Sequence, residues 1–299
     1  MTLPDLLLPT TVIGSYPVVE KKGLLGFMDP LKGAVETAVA DQIRAGIDII
    51  SDGQVRGDMI RAFTGKLPGI RGQAVVGKVL PPPAPITLAD TKYALTRHPH
   101  VKGILTGPST LAHALKLETR MYRDREEVAL DLARALAFEA RHLEAAGVAI
   151  LQIDEPILST GAANLQAGRE AVDLITSTLR VPSCLHVCGD LGGVIDEILK
   201  IRVSIVDFEF AANPANLEIL AAKDLGGRRV GYGCVDSSSP AVEDAALIRE
   251  RILQGIEIFG PKTMLVDPDC GLRMLPREAA FLKLQHMAAA ARELRAEYG

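Results

Sequence analysis

The sequence has neither an excess of basic residues nor a long apolar run. Its formal net charge is −4, whereas nucleic-acid-binding domains usually carry a basic patch, so we expect no nucleic-acid partner. No stretch reaches the ~18 consecutive apolar residues of a membrane helix, and residues 1–17 lack the cationic start of a signal peptide. These absences predict a cytoplasmic protein without a membrane partner.

Cysteine is scarce, and its distribution argues against a disulfide-stabilised protein. The chain has four cysteines, and they lie far apart in a large chain without a signal peptide. Metal binding or catalysis therefore explains them better than a disulfide framework does. Cys184 is interpreted as a core residue and Cys234 as a structural one, which leaves Cys188 and Cys270 for chemistry.

Short β-rich runs alternate with long amphipathic helical segments along the whole chain. We predict strands over residues 11–15, 48–51, 103–106, 149–153, 184–187, 204–208, 229–232 and 264–266. The clearest helices cover residues 31–45, 126–146, 241–259 and 276–297. This alternation is typical of a parallel α/β protein.

The predicted fold class is α/β, a (β/α)8 TIM barrel in which residues 1–299 form one catalytic domain, because eight such strands close a barrel. A doubly wound open sheet is the alternative, although no Gly-x-Gly-x-x-Gly opens a helix here. Residues 66–100 interrupt the alternation with Gly-rich and Pro-rich pieces. We interpret them as an insertion, a β-hairpin without a long helix that lies over one barrel end.

Polar residues gather where the predicted strands end, and the carboxyl ends of barrel strands build the active site. His186 and Cys188 share one face of their strand, because side chains at i and i+2 point the same way. An isolated His-x-Cys pair is more often a buried histidine beside a core cysteine. Glu209 and Cys270, at two other strand ends, would complete a tetrahedral zinc set.

Such a ligand set favours a particular chemistry. Two thiolates and a carboxylate make Zn²⁺ a poor Lewis acid but keep a bound substrate thiol ionised and nucleophilic, which suits alkyl transfer to sulfur. A zinc site that only stabilises the fold is the alternative, but its cysteines usually lie close together in sequence. Ligands spread over three strand ends favour catalysis.

Taken in order, these motifs resemble the catalytic C-terminal barrel of the cobalamin-independent methionine synthases. The resemblance runs from the Ile-Gly-Ser-Tyr-Pro of residues 13–17 to the Asp-Cys-Gly-Leu of residues 269–272, through the Gln-Ile-Asp-Glu-Pro of residues 152–156. It implies His186, Cys188, Glu209 and Cys270 as zinc ligands. It also implies that Ser15 and Asp154 bind homocysteine.

Departures from the family pattern bear on the methyl donor. The chain has no Trp to stack on a pterin, and residues 237–240 read Ser-Ser-Ser-Pro where the long enzymes have an acid His. A corrinoid leaves without protonation, whereas a folate nitrogen needs an acid. The short, single-barrel relatives therefore look closest, and the predicted donor is methylcobalamin or another methylated corrinoid, free or on a corrinoid carrier protein.

Three other functions stay open at this point. The donor could be methyltetrahydrofolate, or the acceptor could be another thiol such as coenzyme M, although Asp154 has no ammonium to bind in that molecule. A non-enzymatic alternative is a zinc-stabilised barrel that docks a corrinoid protein. Gln54 replaces a Glu that holds the substrate ammonium in the long enzymes, so it is a predicted substrate-binding residue with an altered charge.

Overall fold

A computed structural model of the chain describes residues 4–19 and 29–299. The strands are β1 (Ile70–Arg71), β2 (Ala74–Val75), β3 (Lys102–Thr106), β4 (Lys116–Leu117), β5 (Ile150–Asp154), β6 (Ser183–Val187), β7 (Ile205–Glu209), β8 (Arg229–Val235) and β9 (Met264–Pro268). The helices are α1 (Lys32–Ala45), α2 (Arg61–Thr64), α3 (Leu88–Arg97), α4 (Pro108–Ala114), α5 (Arg125–Ala146), α6 (Leu165–Thr176), α7 (Ile195–Ile198), α8 (Ala215–Ala221), α9 (Ala245–Phe259) and α10 (Arg277–Tyr298).

The main sheet closes into a ring. Strands β3, β5, β6, β7, β8 and β9 pair in that order, and every pair is parallel. Two short segments complete the ring through parallel bridges: residue 10 pairs with Val266, residue 11 with Ile49, and Ile50 with Val101. The predicted (β/α)8 barrel is therefore confirmed, and the open-sheet alternative is wrong.

The insertion differs from its prediction in one respect. The predicted hairpin is present as β1 and β2, which pair antiparallel, and β4 extends it in parallel. The absence of a long helix was wrong, because α3 occupies ten residues. Its start is fixed by Glu139 of α5, whose carboxylate accepts hydrogen bonds from the backbone N–H groups of Ile86 and Thr87 at 2.6 and 2.8 Å. Because the capping residue lies far away in the sequence, no residue near the start of α3 indicates where the helix begins.

The start of α9 also differs from its prediction. The helix begins four residues later than expected, where Asp244 caps it by accepting a hydrogen bond from the Leu247 N–H at 2.8 Å. Asp236 accepts a hydrogen bond from the Ser238 N–H within the preceding loop. The loop after β8 is therefore ordered by its own turn.

The interior of the barrel changes from apolar to charged along the strands. One layer consists of five buried residues: Ile49, Ile150, Cys184, Ile205 and Leu265. Two residues further along their strands lie Gln152, His186, Asp207 and Asp267, all buried. Side chains at i and i+2 share a face, so this second set forms a polar layer above the apolar one. Cys184 and Cys234 are both buried in the core, as predicted.

Outside the ring, the helices cover the strands and bury one continuous apolar cluster. In residues 4–19 and 29–299, we find no helix that combines the length and apolarity needed to cross a membrane.

Closure of the ring depends on Asp48, beside the bridge at residues 49–50. Its Oδ2 accepts hydrogen bonds from the backbone N–H and the hydroxyl of Thr10 at 2.8 and 2.7 Å, and it pairs with Arg295 of α10. We predict that Asp48→Ala lowers the free energy of unfolding by about 2–4 kcal/mol, because several charge-assisted hydrogen bonds are lost. Urea denaturation followed by circular dichroism measures this change.

The matched control is Asp196→Ala, which removes a mostly exposed carboxylate paired with Lys223 at 2.7 Å. Such a surface pair contributes about 0–1 kcal/mol. Equal losses in the two variants would contradict the role given to Asp48.

Candidate active site

One large pocket opens at the carboxyl ends of the barrel strands. Its volume is about 640 Å³, and its wall includes six of the seven site residues predicted from the sequence: Ser15, Gln54, Asp154, His186, Cys188 and Cys270. The pocket extends outward to Met274, which is 90% exposed. These six residues therefore share a cavity that is open to solvent at its rim.

Three of the four predicted zinc ligands lie together at the inner end of this pocket. The candidate ligand atoms of His186, Cys188 and Cys270 are all within 4.8 Å of one another. His186 is the fourth residue of β6, Cys188 follows the same strand, and Cys270 follows β9. The i, i+2 spacing of the first two and the shared strand-end position of the third bring these side chains together.

The orientation of His186 fits a metal ligand. Its Nδ1 lies 2.9 Å from Asp207 Oδ1, and its Nε2 is buried without a hydrogen-bond partner among the described residues. A buried nitrogen without a partner costs about 1–3 kcal/mol. A cation held by Nε2 and the two sulfur atoms would remove that cost, so the donor set fits zinc.

The two thiols influence each other strongly. A hydrogen bond from Cys188 lowers the pKa of Cys270, and His186 beside it acts in the same direction. The same contact with Cys270, together with burial, raises the pKa of Cys188. The two thiols therefore titrate as a coupled pair, and a metal ion bound by both sulfur atoms would displace their protons.

Glu209 lies outside the three-residue group. It is the last residue of β7, its side chain is half-buried, and burial raises the pKa of Glu209 against the opposing hydrogen bond from the Gly189 backbone. The Asn216 amide ties the Glu209 and Gly189 carbonyls together, at 3.0 and 2.9 Å. Its role as a ligand stays a prediction.

Ser15 lies against the turn that carries Cys270. A Cβ atom added to Gly271 would come within 2.0 Å of Ser15 Oγ, so a larger residue there would displace the Ser15 hydroxyl. The Leu272 N–H donates a hydrogen bond to the Ser15 carbonyl at 2.8 Å. These contacts hold Ser15, the predicted substrate-binding residue, beside the turn that carries Cys270.

Gln54 holds a left-handed backbone conformation, with φ of 44°. Its N–H donates to Asp52 Oδ1 at 2.8 Å, and its carbonyl accepts a hydrogen bond from Arg273 at 3.0 Å. Burial raises the pKa of Asp52 to about 6. Non-glycine residues in this conformation cost about 1–3 kcal/mol and concentrate at functional sites.

The two carboxylates of the Asp-Glu-Pro motif have different surroundings. Asp154 lines the pocket, and burial raises the pKa of Asp154 to about 7. Glu155 is buried and accepts hydrogen bonds from the backbone N–H groups of Ser109 and Thr110, at 2.8 and 2.7 Å, and from the Thr110 hydroxyl. Glu155 therefore anchors the start of α4, and Asp154 is the carboxylate available to a ligand.

Comparison with known proteins agrees with this geometry. Residues 8–293 match the family described as cobalamin-independent synthase, catalytic domain. The chain belongs to this family. The methionine synthase of Methanothermobacter marburgensis is 45% identical over 306 residues, which cover 95% of this chain and 99% of that protein. That of Methanocaldococcus jannaschii is 43% identical over 305 residues, with 94% and 97% covered.

Solved structures of the same fold exist. A B12-independent methionine synthase from Shewanella sp. W3-18-1 superposes with a TM-score of 0.86 at 24% identity, over 97% of this chain and 98% of that one. A putative vitamin-B12 independent methionine synthase from Listeria monocytogenes gives 0.77 at 19% identity, with 98% and 99% covered. At these identities the likeness concerns the fold.

Membership in the cobalamin-independent synthase family confirms the resemblance read from the motifs. The chain is a methyltransferase of the methionine synthase type, as predicted, so the non-enzymatic docking barrel is set aside. The family description does not support a corrinoid co-substrate or a corrinoid carrier protein.

Sequence reasoning gave no role to several residues that shape the site of this family member. Asp207 orients His186, Arg273 holds the Gln54 loop, and Lys102 lies buried among the interior carboxylates. The alternation along β7 places Asp207 two residues before Glu209, which is a signal that it faces the same interior. The contacts of Arg273 and Lys102 span long sequence separations and leave no such signal.

We predict that Asp207→Asn weakens zinc binding about 10–100-fold, because the residue that fixes a ligand histidine tunes metal affinity to that extent. Competition with a chromophoric chelator measures the dissociation constant. Asp173→Asn is the control, since Asp173 accepts hydrogen bonds from Arg202 on the outer surface, at 2.8 and 3.1 Å. Equal zinc affinity in wild type and Asp207→Asn would refute the assignment.

Proposed function

We propose that this chain methylates the thiol of homocysteine to give methionine, with zinc held by His186, Cys188 and Cys270, and by Glu209 until a substrate thiol takes its place. The observation that carries the proposal is the buried His186, whose Nε2 has no described partner and whose ring offers a ligand atom within 4.8 Å of two thiols. Three ligands leave one position of a tetrahedral site for Glu209 or for a substrate thiol. An open position at the inner end of a pocket supports catalysis rather than a purely structural metal.

When bound, zinc with this ligand set would keep a substrate thiol ionised near neutral pH while leaving it nucleophilic. The surrounding residues orient the substrate. The Asp154 carboxylate would pair with the substrate ammonium, and the Ser15 hydroxyl would donate a hydrogen bond to its carboxylate. In the reaction the thiol loses its proton, the S–C bond forms, and the bond between the methyl carbon and the donor breaks.

The proposal also concerns which molecule supplies the methyl group. The family description names a cobalamin-independent synthase and so favours methyltetrahydrofolate over the corrinoid expected from the sequence. A folate nitrogen must be protonated as it leaves. Asp52 lines the pocket, and because burial raises the pKa of Asp52 to about 6, it is the candidate acid.

A methylated corrinoid is the second candidate, and one feature of this chain favours it. The loop after β8 reads Ser-Ser-Ser at residues 237–239, none of these serines lines the pocket, and the chain has no Trp. A donor that leaves without protonation needs neither an acid in that loop nor a stacking surface. A corrinoid carrier protein would be a partner only with this donor.

A donor panel decides between the two. Zinc-loaded protein is incubated with homocysteine and either methyltetrahydrofolate or methylcobalamin, and methionine is quantified by mass spectrometry. Turnover with the folate alone would eliminate the corrinoid, and turnover with methylcobalamin alone would eliminate the folate. Methylation of coenzyme M but not of homocysteine in the same assay would overturn the proposed acceptor.

We predict that Cys270→Ala binds little zinc and forms no methionine while the barrel stays folded, because one of the thiolate ligands is lost. Zinc content, methionine formation and the circular dichroism spectrum measure the three effects. Cys234→Ala is the matched control, since that buried cysteine does not line the pocket. Full activity in Cys270→Ala would disprove the ligand set.

The organisation of the chain is part of the same proposal. We infer that residues 1–299 act as a single catalytic barrel domain, and the continuous apolar cluster that joins the ring to its helices supports this. The cytoplasmic location expected from the sequence stays a prediction.

A further inference from the structure

A chain of hydrogen bonds runs inside the barrel from Lys102 to Asp154. Lys102 Nζ donates to Gln152 Oε1 at 2.6 Å, and Gln152 Nε2 donates to Asp154 Oδ1 at 2.7 Å. Lys102 is 2% exposed and Gln152 is fully buried. This series of hydrogen bonds therefore lies in the polar interior layer, away from solvent, and ends at the pocket carboxylate of Asp154.

The ammonium of Lys102 decides which way the Gln152 amide points. An ammonium group has three donors and no acceptor, so the amide oxygen must face Lys102. The amide nitrogen then faces the two acceptors on its other side, Asp154 Oδ1 and the Ile13 carbonyl, each at 2.7 Å. The reversed amide would place a donor against a donor and an acceptor against a carboxylate.

Both side chains also bond to the segment that leads to Ser15. Lys102 Nζ donates to the Val12 carbonyl at 3.0 Å, while Gln152 donates to the neighbouring Ile13 carbonyl. The same pair of side chains thus fixes the carboxylate at the end of β5 relative to the loop that carries the predicted substrate-binding hydroxyl.

We propose that Lys102 and Gln152 are positioning residues that hold the Asp154 carboxylate for the ammonium group of the amino-acid substrate. This inference rests on the proposed function only in taking a thiol amino acid as the ligand. Gln152 occupies Oδ1, whereas Oδ2 has no hydrogen-bond partner in the part of the chain that the structure describes, and Asp154 lines the pocket. One oxygen is therefore fixed by the protein and the other is free for the ligand.

The test measures how strongly the protein selects for an amino group. Calorimetry gives the dissociation constants of homocysteine and of 4-sulfanylbutanoate, the same thiol acid without the amino group, for zinc-loaded protein. In wild type we expect homocysteine to bind on the order of 100-fold more tightly, as for a buried charge pair. In Gln152→Leu we expect this ratio to fall about tenfold with unchanged zinc content.

Lys102→Met should lower the same ratio, and Lys283→Met is its matched control. Lys283 is equally buried, and its Nζ donates to the Asp236 carbonyl at 2.9 Å and pairs with Glu243, away from the pocket. The control should lower stability and keep the ratio. An equal loss of selectivity in Lys102→Met and Lys283→Met would show general loosening and overturn the inference.

Combining Gln152→Leu with Asp154→Asn tests whether Gln152 acts through Asp154. The double variant should lose little more selectivity than Asp154→Asn alone, because effects that pass through one shared residue are not additive. Additive losses, or a wild-type ratio in Gln152→Leu, would contradict the proposal. Binding is measured without turnover, so a preference for homocysteine in wild type that falls in Gln152→Leu, together with an absence of methionine formation, would refute the proposed function and leave the positioning role supported.

Discussion

Burial of charge inside the barrel is the constraint on which the site depends. Above an apolar layer, the ring encloses Lys102 together with Asp207, Asp267 and the pocket carboxylate Asp154. Removing an ion from water costs several kcal/mol unless good hydrogen bonds compensate it. Burial and the neighbouring Asp207 carboxylate raise the pKa of Asp267 well above its ordinary value, because this interior strongly disfavours a further negative charge.

The same constraint fixes the directions of the functional groups. Asp207 lies beside Asp267 and contacts His186 Nδ1, which leaves Nε2 of the imidazole available to a metal held together with the two thiols. Gly231 leaves the space that Asp207 needs, since a Cβ atom there would lie 2.4 Å from Asp207 Oδ2. The orientation of the His186 ligand is thus determined by Asp207 and Gly231, which do not line the pocket.

The turn after β9 fixes the site from above. Asp269 accepts hydrogen bonds from three consecutive backbone N–H groups, at residues 210–212, with distances of 3.1, 3.0 and 2.6 Å. Gly271 packs on Ser15, and Arg273 bonds to the Gln54 carbonyl. One short turn therefore sets the position of Cys270 relative to the Glu209 loop and to both predicted substrate-binding loops.

The parts of this arrangement that could be predicted are those with local signals. The alternation of strands and helices predicted the barrel, and residue type at the strand ends predicted the group of His186, Cys188 and Cys270. Helix α3 was missed because its start is capped by Glu139, about 50 positions along the chain. The strand ends at which chemical groups lie can be predicted from the sequence. The contacts that orient these groups join residues far apart in the chain and cannot be predicted in this way.

The group of His186, Cys188 and Cys270 has the polar layer of the barrel on one side and the pocket on the other. This difference bears on the chemistry of a metal held there. Below it, His186 is held by the buried Asp207 carboxylate, and the hydrogen bonds from Lys102 to Gln152 and from Gln152 to Asp154 restrict rearrangement of the polar layer. Above it, the pocket continues to the exposed rim at Met274. A metal that only stabilised the fold would gain nothing from this opening, since a structural site is closed by four protein ligands. A rigid floor with an open face is what a reaction needs when one reactant is held at the metal and another must reach it from solvent.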